Sequence, residues 1–148
     1  MNTVFDVAKY VLHHLHDGTT TMKLEKLVYY CQAWSLAWDG LPLFREDFQA
    51  WANGPVCPAL FATHKGKFWI DENAYDDASG SFTPEQIETM DKVLAGYGDK
   101  EPYVLSAMTH EERPWREARK DVAPGAPCSQ VIDKDVMQEY YGGLCGGS

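Results

Sequence analysis

The side chains best able to do chemistry in this chain are histidines, cysteines and a few paired acids. His13, His14 and His16 crowd one segment, and His13 and His16 are spaced to share a helix face. A zinc site needs three or four ligands from His, Cys, Asp and Glu. No partner pair accompanies these three, and all lie off the apolar face, so they read as surface histidines with no metal site. Cys57, in Gly54-Pro55-Val56-Cys57-Pro58, stands in a loop just ahead of a helix start, the cysteine best placed for a lowered pKa. No nucleophile signature flanks it. Ser35 and Ser106 lack a GxSxG setting, and neither GxGxxG nor GxxxxGKS or GxxxxGKT occurs. Asp76-Asp77 and Glu111-Glu112 read as solvated pairs.

Two richer constellations remain. Thr109-His110-Glu111-Glu112-Arg113-Pro114-Trp115 joins the end of one helix to the start of another. Its simpler reading is a rigid corner anchored by an inward Trp115, with Glu112 and Arg116 spaced to pair across a turn. Its functional reading is a polar site around His110 and Glu112. Trp51, followed by Gly54, Pro55 and Val56, either seals the core or projects as a binding hot spot.

The elements that must position these residues follow from periodicity. Val4, Val7, Ala8, Val11 and Leu15 recur at helical spacing, so a first helix spans about Val4 to His16, with Thr3 as cap. A second runs from the Thr19-Thr20-Thr21 cap to about Asp39, before Gly40 and Pro42. Its core side chains are Leu24, Leu27, Val28, Tyr30, Cys31, Trp34 and Trp38. A helix apolar almost all round is central and packed on several sides. Residues 41–56 alternate apolar positions with turn residues, which predicts an extended element or small hairpin closed at Asn53-Gly54-Pro55. Pro58 opens a short third helix. Residues 68–81 read as an acidic surface loop. Thr83-Pro84-Glu85-Gln86 starts a fourth helix with a capping box, and Glu88 and Lys92 form an i,i+4 pair on it. Helices also follow over Pro102–His110, from Pro114 to Lys120, and after Asp133. The expected architecture is mainly α: one compact bundle over 1–141 around the central apolar helix, with a glycine-rich tail at 142–148.

Composition bounds the function. The chain has 148 residues and a formal charge of −9. An acidic surface offers no footprint for phosphate backbones, so no direct nucleic-acid contact is expected. Arg113, Arg116, Arg119 and Lys120 are largely balanced by Glu111, Glu112 and Glu117. No apolar run approaches a membrane span. Cys31, Cys57, Cys128 and Cys145 show no CxxC spacing, and no signal-peptide pattern precedes them, so the expectation is a reduced, cytoplasmic chain. Five Trp, eight Tyr and six Phe supply both core and interface anchors.

Four ordered stretches carry a resemblance. Lys23, Leu24, Lys26, Leu27, Tyr29 and Tyr30 come first, then Gly40, Pro42, Leu43 and Phe44. Trp51, Gly54, Pro55, Val56 and Pro58 follow, then Thr109, His110, Glu112, Pro114 and Trp115. Together they resemble the Panacea domain of SocA-like antitoxins, also met in phage-associated proteins, over roughly residues 4–120. The resemblance implies a compact helical domain without catalytic machinery or cofactor. It implies neutralisation of a toxin or host protein by direct contact, or delivery of a toxin to an AAA+ protease. The family-motif residues Trp51, Gly54, Pro55, Val56, Thr109, His110, Glu112 and Trp115 become the candidate partner-binding set. A small enzyme built on His110, Glu112 and Cys57 is the remaining alternative.

Overall fold

The computed structural model describes residues 1–146. It is mainly helical, as expected, with two small antiparallel two-stranded sheets. In chain order the elements are α1 (Val4–Leu15), β1 (Thr19–Thr20), α2 (Thr21–Asp39), β2 (Gln49–Trp51), β3 (Gly54–Val56) and α3 (Pro58–His64). β4 (Trp69–Ile70), α4 (Pro84–Tyr97), α5 (Pro102–His110), α6 (Arg113–Ala118) and α7 (Lys134–Gly146) complete it. Among the described residues no helix is long and apolar enough to cross a membrane.

The caps explain where the helices begin. Thr3 accepts from the Asp6 N–H and Asp6 bonds back to the Thr3 N–H, closing a capping box on α1. Thr20 caps α2 through the Lys23 N–H, and Thr83 and Gln86 form the anticipated box on α4. Glu88 and Lys92 pair at 3.1 Å on its exposed side.

α2 is the axis of the fold. α1, α4, α5 and α7 all pack against it. Leu24, Leu27, Val28, Tyr29, Tyr30, Cys31 and Ala33 are fully buried. So are Glu25, Lys26 and Gln32, to within 2%. A helix enclosed on every side has no solvent face, and its charged residues go inside with its apolar ones.

Four features differ from expectation. Trp34 is only partly buried and Trp38 is 39% exposed, because the last turn of α2 runs past the edge of the core. Trp38 instead lies against Trp34 and under the Lys92 ammonium. The 68–81 stretch contains β4, which pairs with β1 in the register Thr19 to Ile70. Gly18 permits this pairing: its φ is +79°, and a Cβ there would lie 2.5 Å from the Ile70 carbonyl. α7 continues to Gly146, so residues 142–146 of the expected tail are helical, held at their base by the buried Tyr141. The end of that tail lies outside the described residues. Glu112 does not pair with Arg116. It turns inward as the N-cap residue of α6, while Arg113 takes Glu117 and Glu139, each at 2.8 Å.

Candidate functional site

The hairpin β2–β3 and the corner between α5 and α6 are joined by hydrogen bonds. Gln49 pairs with Val56, Ala50 with Pro55 and Trp51 with Gly54, so the turn falls at Ala52-Asn53. The Trp115 indole N–H donates to the Trp51 carbonyl at 2.8 Å. Ser106 Oγ donates to the Asn53 carbonyl. Arg119, itself buried, donates to the Ala50 carbonyl at 2.8 Å and to the Ala123 and Ala126 carbonyls. Gly54 marks the tightest approach. Its φ is +118°, and a Cβ would lie 2.6 Å from Lys26 Cε and 3.0 Å from Thr109 Oγ1. The candidate residues Trp51, Gly54, Pro55, Val56, Thr109, His110 and Trp115 thus come together in one region.

The corner is a stack of rings. His110 lies flat on Trp115, 4.1 Å between centroids and 16° between planes. The Arg119 guanidinium stands 5.0 Å from the same indole ring. Burial holds the His110 pKa below its ordinary value, and the Lys26 and Arg119 charges push the same way. Its Nε2 is buried with no partner among the described residues.

Glu112 belongs to a different, closed cluster. Its Oε1 accepts from both Tyr30 and Tyr141 hydroxyls at 2.8 Å. Tyr29 and Tyr141 hydroxyls are 3.2 Å apart, and Tyr97 stacks on Tyr30. Burial pushes the Glu112 pKa up despite the two bonds that lower it. His110 and Glu112 therefore form no joint acid–base site: one stacks at the hairpin and the other faces the core.

The hairpin forms one wall of a groove of about 630 Å³. Trp51, Val56 and Phe61 line it, with Met22 on one side and Pro127 and Cys128 on another. Trp51 meets Phe61 edge to face at 4.8 Å, and Phe61 meets His64 at 5.3 Å. Glu25, Lys26 and His64 contribute the ionisable groups of the lining, beside polar residues such as Gln49 and Asn53. Glu25 Oε1 accepts the Cys57 N–H at 2.9 Å, and its Oε2 lies 2.7 Å from His64 Nε2, which donates to it. Lys26 Nζ donates to the Pro55 carbonyl at 2.9 Å, and burial brings its pKa down to about 8.

Sequence reasoning missed Glu25 and His64, and it named Lys26 among the residues that carry the resemblance without giving it a role at the site. The missing signal was available: a helix buried all round must find partners for every charge it carries. Neither Cys57 nor Cys31 is a poised nucleophile. Cys57 is buried and its thiol is pushed up to about 11, the reverse of the activation its loop position suggested. The burial of Cys31 pushes its thiol up further. His13 sits at the surface, 2.6 Å from Asp76. Among the described residues no three His, Cys, Asp or Glu side chains are grouped to hold a metal ion.

A protein-family comparison matches residues 24–116 to the family described as antitoxin SocA-like, Panacea domain. The match runs from the first turn of α2 into α6, and so takes in the hairpin, the corner and all the charged residues of the groove. The groove wall at Gly125–Ser129 lies beyond it. No curated protein and no solved structure matches the chain.

Proposed function

The chain belongs to the SocA-like antitoxin, Panacea domain family, and from that premise we propose that it neutralises a protein toxin by direct, non-catalytic binding through the hairpin groove. The observation that supports this reading is the placement of Trp51. It is half-buried at the mouth of an apolar groove, on a backbone that Trp115, Arg119 and Gly54 hold fixed. A rigid aromatic lining an apolar recess is the usual chemistry of an interface anchor. Phe68 and Trp69 extend the apolar surface. They are 77% and 49% exposed, and they reach the groove through Thr21, whose N–H donates to the Phe68 carbonyl. The charge of −9 favours a basic toxin surface and faster encounter at low salt.

The test is rescue of growth from the toxin encoded beside this gene. Wild-type protein restores growth and co-purifies with the toxin. Trp51→Arg fills the groove with a charged side chain, and is expected to abolish both while leaving the melting temperature within a few degrees. Full rescue by a folded Trp51→Arg protein would remove the groove from the mechanism. A toxin whose half-life shortens when this protein is present would replace occlusion by delivery to a protease.

A further inference from the structure

The groove floor has an unspent donor. A lysine ammonium carries three N–H groups. Lys26 Nζ has one acceptor among the described residues, the Pro55 carbonyl. The nearby Glu25 does not supply a second: its oxygens turn to the Cys57 N–H and to His64, and neither comes within hydrogen-bond distance of Lys26 Nζ. Lys26 is nevertheless 1% exposed and belongs to the groove lining. A buried ammonium short of acceptors is costly, and the cost disappears when an anionic oxygen is brought to it.

The rest of the lining says what must accompany that oxygen. Trp51, Phe61, Val56 and Met22 present rings and aliphatic carbon, with room for a group of several heavy atoms in about 630 Å³. We propose that the groove is a binding site for a carboxylate carried on an aromatic or alkyl group. Lys26 Nζ donates to the carboxylate, and Trp51 and Phe61 pack against the apolar part. The carboxylate comes from a free organic acid or from the C-terminus of a polypeptide ending in an apolar residue. The inference stands on the groove alone and holds whether or not a toxin docks on the same face.

The overall charge makes the test discriminating. A chain of net charge −9 attracts cations, so global electrostatics favours an amine over an acid of the same shape. The local donor favours the acid. The full chain is titrated with 3-phenylpropionate, with 3-phenylpropan-1-amine, and with a tripeptide ending in Phe as free acid and as amide. The Trp51 indole N–H resonance, assigned with Trp51→Phe, reports occupancy. Both free acids are expected to shift it at millimolar concentration, and the amine and the peptide amide are not. Tighter binding by the peptide acid identifies a polypeptide end as the source. Equal or tighter binding by phenylpropionate identifies a free acid. Lys26→Met is expected to weaken acid binding at least tenfold. A shift by the amine equal to that by the acid, or no shift by either acid, overturns the proposal. So does undiminished acid binding by folded Lys26→Met. If that variant does not fold, the contrast of acid and amine on the unaltered protein still decides.

Discussion

The polar cluster around Glu112 and the one around Glu25 and Lys26 are both reached from α2, a single turn apart, and they are completed in opposite ways. Tyr30 and Lys26 stand at i and i−4 on that helix. Tyr30 points to a carboxylate closed in by a second tyrosine, with one ring stacked on Tyr30 and another edge-on to it. Lys26 reaches a hairpin carbonyl beside a groove and is left with donors to spare. A satisfied buried network rigidifies the fold; an incomplete one beside a cavity is available for a ligand. The difference separates scaffold from working surface within one helix.

The sharpest way to break this comparison is at the closed end. Glu112→Ala strips two buried hydroxyls of their acceptor and is expected to cost about 3 kcal/mol, read from the urea midpoint. Glu112→Gln keeps an acceptor and costs less. It also shows a pH signature. Glu112 has a folded-state pKa raised above 4.5, so between that value and its folded pKa the folded state holds a proton that the unfolded state has lost. Stability from this group therefore falls as pH rises through that window. Wild type should gain on Glu112→Gln as pH is lowered towards 4.5. A gap that widens the other way would mean that burial does not govern this carboxylate.

At the groove the sign is reversed. Lys26 titrates near 8 when folded and 10.5 when free, so between these values the unfolded chain holds the extra proton. Its contribution to stability rises with pH across the window, by about 3 kcal/mol in all. Below pH 8 both states are protonated and the cost of burying the charge is constant. Lys26→Met lacks the slope. Subtracting its denaturation profile from that of wild type removes the opposing effect of the buried tyrosines and cysteines. A flat difference between pH 8 and 10 would show that an internal partner already neutralises Lys26.

Much of the scaffold was legible in the sequence because it rests on local rules. The capping residues Thr3, Thr20 and Thr83 fix where three helices start, and the apolar run of α2 marks the axis. The hairpin was legible from the turn residues near Asn53-Gly54-Pro55, although the turn itself is Ala52-Asn53 and Gly54 and Pro55 pair within β3, and its union with the 109–115 corner makes one region of two separate motifs. β4 was not legible, since a two-residue strand has no alternation to read. The groove floor was hidden for a different reason. Glu25 looks like a solvated charge in a chain rich in them, Lys26 stands out only as a residue of the shared motif, and only the tertiary packing of α3 and the hairpin over α2 shows what they touch. Trp38 failed as a core residue because periodicity gives the face of a helix and not where the core ends.

The finest comparison deletes one donor at each end. Tyr30→Phe removes a hydroxyl from Glu112 and leaves Tyr141 as its remaining partner. Glu112 and Tyr141 are buried, so the carboxylate keeps an unfilled lone pair, and the expected loss is about 1.5 kcal/mol. Trp51→Phe removes the indole N–H that Gln49 Oε1 accepts at 2.8 Å. Gln49 and Trp51 both line the groove, where water replaces the lost donor, and the ring contact with Phe61 survives in kind. The expected loss is about 0.5 kcal/mol. The two substitutions remove one hydrogen bond each, so the ratio of their costs measures closure of the two clusters. Equal losses would show the groove to be as dry as the core, and would leave no place there for a ligand's polar end.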